Sequence, residues 1–306
     1  MARPRVVATT WLHRDGDRIL AVLSHRSPLW FLPGGQPEPG ESLVQATARE
    51  VLEEIAVSVD PSSLREVIRL RDDAAARPGV EVELVGHVEE GGRPLLDPTA
   101  LTLAADEIDE ARWVGPGDGD LLAPAVRRVV DALAAVGVPD GDCWLHSSVE
   151  VRDSPIEGRW LFASSALTAG TVVARLGGRL VDTAVMRELV AEATAGRSPY
   201  VDTITVLEDL HLVLPPRRPV GYGNHSCDPA LWHTDAFTLA ARRDLAPSDE
   251  LTVDYATQTT EVAFEMACRC GSTPCRGMVR GADWRRPELQ DRYGEHWVPA
   301  LLARIC

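Results

Sequence analysis

The apolar residues in the first half of the chain follow two different periods. A helical spacing runs from Leu43 to Ile55, and the pair Ser42 and Gln45 in front of it has the pattern of a capping box. A loop rich in proline and glycine precedes this helix. The pattern predicts helices over 42–56 and 123–135, and strands over 6–12, 19–24, 64–70, 80–88 and 111–114.

The second half has shorter apolar runs and is predicted to be mostly β. Helices are expected over 183–195 and after Arg286, and the glycine- and proline-containing segment 137–145 reads as a linker. The strands are expected over 161–163, 171–176, 201–207, 210–214, 236–240 and 250–253.

Length and composition fit two soluble domains. The chain has 306 residues, of which 45% are hydrophobic and 25% charged. Its apolar runs are much shorter than the ~20 residues that a membrane span needs, and the N-terminus does not resemble a signal peptide. We therefore expect a cytoplasmic protein without a membrane partner.

The charge limits the partners. The formal net charge is −15, so the basic excess that broad nucleic-acid binding requires is absent. A basic protein or peptide is a compatible partner, although solubility is the favoured explanation of the acidity. The chain contains no lysine and a single asparagine, Asn224, which is typical of a GC-rich genome, and we expect a bacterial source.

An acidic cluster lies on the first predicted helix. Glu50 is three and four residues from Glu53 and Glu54, so the three carboxylates share one helical face. Their mutual repulsion is costly, and a hard cation such as Mg²⁺ would remove the cost. Arg49 can neutralise part of the cluster. The alternative is an exposed, solvated acidic helix.

The spacing of Gly35, Glu41 and this cluster, G-x5-E-x7-R-E-V-x-E-E, resembles the motif of Nudix hydrolases, and the resemblance covers residues 4–136. It implies that Glu53 and Glu54 bind magnesium or manganese with the Gly35 carbonyl. Glu50 would bind the metal or act as the general base. The substrate would be a nucleoside diphosphate-linked small molecule. Glu107 is a further acidic candidate. Where the family usually has glycine after the helix, this chain has Ala56.

Four cysteines have the character of a metal site. Cys268, Cys270 and Cys275 crowd into one loop, and Cys227 directly follows Asn224-His225-Ser226. Four thiolates form a closed structural zinc site, and in a cytosolic chain such crowding favours a metal over disulfides. The alternative is four reduced, buried thiols.

Residues 146–280 resemble a SET-domain protein lysine methyltransferase with a post-SET zinc loop. The resemblance rests on four blocks in order, at 157–163, 169–173, 224–229 and 250–255, followed by the cysteine loop. This chain departs from the family at Trp160, where a second glycine is frequent, and at Ser248, where Gly-Glu usually precedes Glu250.

The resemblance implies a site for S-adenosylmethionine and a lysine. Tyr255 would align the methyl donor with the amine, as the catalytic residue. Because the chain lacks lysine, the acceptor would be an external lysine-containing protein or peptide. The implied cofactor-binding residues are Gly158, Arg159, Trp160, Asn224 and His225, with Tyr222 as a wall of the lysine channel.

The expected fold class is α+β, with an N-terminal Nudix α/β/α sandwich and a mostly-β SET fold containing a pseudoknot. The expected organisation is a Nudix domain at 1–136, a linker at 137–145, a SET domain at 146–267, the zinc loop at 268–280 and a helical segment at 281–306. The chain would be a bifunctional enzyme, a lysine N-methyltransferase and a Nudix pyrophosphohydrolase. The alternatives are a methyltransferase whose Nudix half only binds a nucleotide or partner, a non-catalytic zinc-stabilised SET scaffold, and transfer to a small amine.

Overall fold

The chain folds as an α+β protein with two compact units. The structure is a computed structural model that describes residues 3–75, 77–153, 159–199, 201–216 and 219–306, apart from the side chains of 221 and 222. The first unit comprises Met1–Val138 and Arg179–Arg187, and the second comprises Pro139–Gly178 and Glu188–Cys306. A nine-residue segment from the second half of the sequence thus belongs to the first unit.

The elements alternate between strands and few helices. Those up to residue 138 are β1 Arg5–Trp11, β2 Arg14–Asp15, β3 Arg18–Ser24, β4 Trp30–Phe31, β5 Gly34–Gly35, α1 Leu43–Ile55, β6 Leu64–Asp73, β7 Glu81–Glu89, β8 Ile108–Val114 and α2 Pro124–Val136. Those that follow are β9 Trp144–Leu145, β10 Val149–Asp153, β11 Arg159–Ala163, β12 Val172–Arg175, β13 Arg179–Asp182, α3 Thr183–Thr194, β14 Thr203–Leu207, β15 Leu210–Val213, β16 Asn224–His225, β17 Leu231–His233, β18 Thr238–Ala241, β19 Thr252–Val253, β20 Glu265–Ala267, β21 Met278–Arg280, α4 Pro287–Tyr293 and α5 Pro299–Ile305.

The first unit is a mixed sheet with a helix on each side. The strands β13, β6, β7, β1 and β5 pair in that order, with β7 antiparallel to β6 and parallel to β1. The strands β2, β3, β4 and β8 form a second sheet. α1 packs on β1 and β5, and α2 packs on β6 and β3.

Its core explains why α1 forms where the periodicity predicts. Val51 and Ile55 of α1 are fully buried against Trp11, Leu20 and Val22. Burying each such side chain contributes about 1.5–3 kcal/mol. The capping box at Ser42 and Gln45 is present in full, so the predicted start of the helix is confirmed.

The second unit is built from small sheets. β17, β18, β12 and β9 form one sheet, while β10 pairs with β11, β14 with β15, and β20 with β21, all antiparallel. The predicted strands around 161, 171, 201, 210 and 236 are present with ends shifted by a few residues. Of the strand predicted over 250–253, only Thr252–Val253 is regular, as β19.

Several elements were not predicted. β5 was assigned to a loop because of its glycines, yet it pairs antiparallel with β1, with Thr9 opposite Gly35 and Thr10 opposite Gly34. β9, β16, β17, β20 and β21 have only two or three residues, too few for a period to appear. Among the described residues, no helix has both the length and the apolar character that crossing a membrane requires.

Candidate functional site

The acids of the first unit are positioned by α1. Glu54 is 7% exposed, and its Oε2 accepts a hydrogen bond of 2.9 Å from the backbone N–H of Gly34. The side chain of Glu53 is 58% exposed on the outer side of the same helix turn. The cluster therefore combines one buried and one accessible carboxylate on consecutive residues.

Arg49 ties the loop before the helix to the helix itself. Its guanidinium donates to both carboxylate oxygens of Glu41, each at 3.0 Å, and to Glu53 Oε2 at 3.0 Å. It also lies 3.0 Å from Glu50 Oε1. Arg49 thus neutralises part of the acidic face and holds Glu41 against it, as its position in the motif predicts.

Gly35 lies directly against Glu50. A Cβ at Gly35 would collide with the Glu50 carboxylate, and a Cβ at Gly34 would collide with the backbone carbonyl of Thr9. The pairing of β5 with β1 creates the close approach at Gly34, which requires glycine, whereas a side chain at Gly35 would displace the Glu50 carboxylate. Gly35 and the acids of α1 are therefore brought together, as the motif spacing predicts.

The packing of these acids perturbs their ionisation. The pKa of Glu54 is raised to about 8, mainly by burial and in smaller part by the charges of Glu50, Glu107 and Glu53, against the opposing Gly34 hydrogen bond. Burial also raises the pKa of Glu50. A divalent cation would offset this electrostatic cost, so the donor set and the glycine cradle fit Mg²⁺ or Mn²⁺.

A cavity of about 240 Å³ opens beside the acids. Gly34, Gly35 and Glu54 line it, together with residues that the sequence did not single out. Thr9 and Thr10 of β1 are among them, and so is Arg26, which follows β3. The alternation in β1 could have indicated them, because Thr9 and Thr10 are polar residues in an otherwise apolar strand.

The site of the second unit begins with two strands far apart in sequence. β16 pairs in parallel with β19, placing Asn224 opposite Thr252 and His225 opposite Val253. Ser226 N–H continues the ladder to the carbonyl of Val253 at 3.0 Å. The pairing brings the Asn224-His225-Ser226-Cys227 segment beside Tyr255.

Asn224 uses both ends of its carboxamide. Its Oδ1 accepts from the backbone N–H of His225 at 2.9 Å, and its Nδ2 donates to Glu250 Oε1 at 3.3 Å. An ionised Asp has no donor for Glu250, and a Ser hydroxyl carries its donor and its acceptor on one atom rather than on two. No role was predicted for Glu250 from the sequence, and its contact with Asn224 makes it part of this site.

Tyr255 is oriented by backbone and by rings. Its hydroxyl donates to the carbonyl of Gly223 at 2.9 Å. Its ring centroid lies 5.3 Å from that of His225 and 6.5 Å from that of Phe264. Phe264 carries no motif signal in the sequence and is found only through this contact.

His225 faces the cysteines. The backbone N–H of Tyr255 donates to His225 Nδ1 at 3.2 Å, and Nε2 lies 3.4 Å from Cys227 Sγ. Burial lowers the pKa of His225 to about 4, which keeps the ring neutral, with the Nε2 proton directed to the sulfur. Its imidazole is thus engaged within the protein, so the predicted cofactor contact would have to use its backbone.

The four cysteines converge. The sulfurs of Cys227, Cys268, Cys270 and Cys275 all lie within 4.8 Å of one another, with 3.8 Å between Cys227 and Cys268. Tetrahedral zinc with Zn–S bonds of about 2.3 Å separates its sulfurs by about 3.8 Å. Among the residues that the structure describes, this is the one such group of cysteine, histidine or acidic side chains.

Backbone N–H groups point at these sulfurs. Arg276 donates to Cys227 at 3.3 Å, Cys270 to Cys268 at 3.4 Å, and Gly277 to Cys275 at 3.4 Å. Such donors stabilise thiolates, whereas burial raises the pKa of the Cys227 thiol. The arrangement fits a bound metal cation and orients its ligands.

A buried ion pair joins the cysteine loop to the tyrosine segment. Arg276 donates to both carboxylate oxygens of Asp254, each at 2.6 Å, and the side chains are 4% and 0% exposed. Tyr293 of α4 donates to Asp254 Oδ2 at 2.8 Å. Burial alone would raise the pKa of Asp254, but the hydrogen bonds and charge of Arg276 prevail and lower it.

The predicted cofactor loop is only partly visible. Gly158 lies outside the described residues, and so does the side chain of Tyr222, whose backbone forms the 3₁₀ turn Pro219–Tyr222. Arg159 is exposed at the start of β11. The indole Nε1 of Trp160 is buried and has no hydrogen-bond partner among the described residues, so a cofactor group could accept from it.

Comparison with known proteins gives two family matches. The NUDIX domain model matches residues 3–136, and the SET domain model matches residues 158–256. A Bacillus subtilis (strain 168) protein named "Putative 8-oxo-dGTP diphosphatase" is 33% identical over 121 residues, which cover 38% of this chain and 71% of that protein.

Proteins with methyltransferase names also match. The Caenorhabditis elegans protein named "Probable histone-lysine N-methyltransferase lin-59" is 29% identical over 143 residues, or 44% of this chain. This chain spans only 10% of that relative's length. The crystal structure of the methyltransferase domain of human histone-lysine N-methyltransferase SETMAR aligns with a TM-score of 0.36 at 19% identity, covering 44% of this chain and 57% of that one.

The two matches lie in order along the chain and contain the acidic helix and the tyrosine segment, whereas Cys268, Cys270 and Cys275 follow the second match. Residues 3–136 include the acidic helix, and residues 158–256 include Asn224 and Tyr255. The chain therefore belongs to the Nudix family through its first half and carries a SET domain in its second half, as a Nudix–SET fusion.

Proposed function

We propose that the chain is a bifunctional enzyme. Its SET half would be an S-adenosylmethionine-dependent lysine N-methyltransferase, and its Nudix half a Mg²⁺-dependent diphosphate hydrolase. One observation carries the proposal: the Tyr255 hydroxyl is held on the Gly223 carbonyl, beside Asn224 and the four-thiol cluster.

In the SET half, each residue would have a defined task. S-adenosylmethionine supplies an electrophilic methyl group when bound. Asn224, the His225 backbone and the loop of Gly158, Arg159 and Trp160 would hold it. The buried Trp160 Nε1, which has no hydrogen-bond partner in the described part of the chain, supports this assignment.

Methyl transfer requires alignment of the methyl donor with the acceptor amine. A neutral lysine amine would attack the methyl carbon, so that a C–N bond forms, the carbon–sulfur bond breaks, and the amine proton leaves to solvent. Tyr255 would align the amine and stabilise the charge that shifts during an in-line transfer, and Tyr222 would line the channel. The acceptor would be external, since the chain contains no lysine.

The cysteine cluster would hold a structural zinc ion. The ligands Cys227, Cys268, Cys270 and Cys275 leave no open position, so the ion would fold the loop rather than act on substrate. Arg276 lies in this loop and reaches Asp254, the residue before Tyr255. The zinc would thus support the position of Tyr255.

In the Nudix half, the acids would bind magnesium or manganese. Glu53, Glu54 and the Gly35 carbonyl would be ligands, and the metal supplies polarisation of a pyrophosphate when bound. Glu50 would accept a proton from the attacking water, whose oxygen bonds to phosphorus as the bridging P–O bond breaks. Arg49 contacts Glu41, Glu50 and Glu53 and holds their carboxylates in place.

Two other functions have support from particular features. The Nudix half could serve only to bind a nucleotide or partner, since a cavity of about 240 Å³ lies beside the acids. The SET half could be a zinc-stabilised binding scaffold, since the cysteine cluster and ion pair are structural features. A small amine as acceptor is a third variant.

The test uses the full chain. Purified protein is incubated with Mg²⁺ and nucleoside triphosphates, with 8-oxo-dGTP among them because of the Bacillus subtilis relative's name. It is also incubated with labelled S-adenosylmethionine and lysine-containing lysate proteins. We expect diphosphate hydrolysis and protein labelling. Lack of hydrolysis would favour the binding module, and lack of S-adenosylmethionine binding would favour the scaffold.

A further inference from the structure

Glu250 is held in the second unit by backbone pairing on both of its sides. The N–H of Leu251 donates to the carbonyl of Leu161 at 2.8 Å. The carbonyl of Asp249 accepts from the N–H of Ala163 at 2.9 Å. Glu250 itself is partly buried, so its carboxylate projects from a fixed backbone into the site.

Asn224 is fixed by a different pair of strands. It lies in β16, whose parallel pairing with β19 places it opposite Thr252. Its Nδ2 donates to Glu250 Oε1 at 3.3 Å, and its Oδ1 accepts from the backbone N–H of His225 at 2.9 Å. Two separate strand pairings therefore bring the carboxamide and the carboxylate together.

These partners permit only one orientation of the Asn224 amide. A carboxylate only accepts hydrogen bonds, and a backbone N–H only donates them. If the amide turned over, its oxygen would face the Glu250 carboxylate and its NH₂ group would face the His225 N–H. Both hydrogen bonds would be lost, so Glu250 determines which end of the carboxamide is the acceptor.

In this orientation Asn224 keeps hydrogen-bonding capacity for a ligand. The hydrogen bonds to the described residues use one lone pair of Oδ1 and one hydrogen of Nδ2, so one of each remains. An ammonium group has only donors and needs the remaining acceptor. The amino-acid end of S-adenosylmethionine carries such a group, and the nearby charge of Glu250 favours it.

We propose that Glu250 is a positioning residue, which directs Asn224 Oδ1 to the ammonium group of S-adenosylmethionine. Glu250 acts through Asn224 and does not itself contact the cofactor. This inference rests on the proposed methyltransferase function and adds a residue to it. It also gives a physical reason for a carboxamide at the position of the chain's single asparagine.

The first test measures two ligands on the full chain by calorimetry. S-adenosylhomocysteine has the ammonium group, and 5′-S-(3-carboxypropyl)-5′-thioadenosine lacks only that group. We expect the wild type to bind S-adenosylhomocysteine at least about tenfold more tightly, as for a hydrogen bond to a charged group. Glu250→Leu should reduce this ratio at least about threefold. Equal binding of the two ligands by the wild type, or an unchanged ratio in Glu250→Leu, overturns the inference.

A double-mutant cycle separates positioning from direct contact with the cofactor. Glu250→Gln alone should weaken binding of S-adenosylhomocysteine, because a neutral acceptor holds the Asn224 amide less well. Added to Asn224→Asp, the same change should strengthen binding at least about threefold, because the new amide donates to the Asp carboxylate and removes a repulsion between two acids. The same sign in both backgrounds, or no effect in either, overturns the positioning role.

Controls keep the outcomes distinct. Glu295→Leu changes an exposed acid of the same unit and should leave both dissociation constants unchanged. An equal loss in this variant overturns the inference. Thermal unfolding shows whether each variant folds, and the isosteric Glu250→Gln cycle decides the matter if Glu250→Leu does not.

The proposed function and the inference fail in different ways. If the wild type does not bind S-adenosylhomocysteine, the methyltransferase function is refuted and the inference falls with it. If the wild type binds and the ratios do not respond to Glu250, the inference alone is overturned. Binding with the expected ratios but without methyl transfer supports the inference while refuting the enzymatic activity.

Discussion

The acidic site of the first unit and the tyrosine–cysteine site of the second differ in how much chain they need. The acids, Arg49 and Glu41 come from one helix and the turn before it, with glycine strand β5 packed against them. The second site needs β16, β19, the cysteine loop and α4, which are far apart in sequence. A site built from consecutive residues forms with the local structure. A site built from distant segments forms only when those segments come together.

Under the proposed function, the second site would depend on a metal for its structure and the first site on a metal for its chemistry. Removing metal should unfold the cysteine loop but leave α1 and its cap intact. When a variant changes only one half, the other half serves as an internal reference.

The largest effect is expected from Cys275→Ser. Three thiolates hold zinc far less well than four, and a structural zinc ion contributes about 10 kcal/mol or more to folding in small domains. We expect loss of bound zinc and a fall of methyl transfer by at least about 100-fold, about 2.7 kcal/mol, with diphosphate hydrolysis unchanged. Zinc content and both activities are measured.

The control for this variant is Cys306→Ser, because Cys306 is an exposed free thiol outside the cluster. It should behave as wild type. Retention of one zinc ion and full methyl transfer in Cys275→Ser would contradict the structural role of the cluster.

Glu54→Gln should impair hydrolysis by the Nudix half and leave the SET half unaffected. Its amide can still accept from Gly34 N–H, so the fold is kept, but the charge that would bind the metal is lost. We expect hydrolysis to fall about 10²–10³-fold, about 3–4 kcal/mol, with methyl transfer unchanged. Glu90→Gln, a 61% exposed acid, is the matched control. Equal hydrolysis by both variants would remove Glu54 from the site.

Arg276→Met tests the long-range closure itself. The substitution leaves the Asp254 carboxylate buried without its partner, which costs about 3–5 kcal/mol. We expect the second unit to unfold at lower urea while the first unit's transition stays in place. Adding Asp254→Asn should restore part of the loss. Arg280→Met, with a 53% exposed side chain, is the control, and equal destabilisation by the two would contradict this assignment.

The smallest effects test two backbone positions, one in each half. Ala56 and Ser248 are the two non-glycine residues with positive φ in the described part of the chain, at 53° and 75°. The resemblances to the two families imply glycine at both positions. Ala56→Gly and Ser248→Gly should each stabilise the protein by about 1 kcal/mol.

Thermal and urea unfolding would measure these gains. Ala134→Gly, on the exposed side of α2, is the opposite control and should cost about 1 kcal/mol. Since Ser248 Oγ accepts from Arg152 at 3.3 Å, its gain should be the smaller of the two. Destabilisation by Ala56→Gly would show that its left-handed conformation carries no strain.

The same contrast explains what the sequence could predict. The helix α1, its cap, the stacked acids and the glycine loop are encoded within about twenty consecutive residues, and the structure brings them together as expected. The convergence of the four cysteines was also predicted from their types and crowding.

Contacts between segments that are far apart in the chain could not be predicted from the sequence. Glu250, Phe264, Arg276 and Tyr293 act through pairings between segments, and no local period marks them. The role of the His225 ring was missed for the same reason, since its partners are Cys227 and the Tyr255 backbone. The segment Arg179–Arg187 was assigned to the second half by position, although it joins the first unit.

The central claim is that the dispersed site transfers methyl groups to lysines of other molecules. The direct measurement compares wild type and Tyr255→Phe for label transfer from S-adenosylmethionine into lysate proteins, normalised to diphosphate hydrolysis by the same sample. We predict labelling that falls at least about 100-fold in the variant, with the lysine-free chain itself unlabelled on side chains. Equal labelling by both proteins would contradict the account.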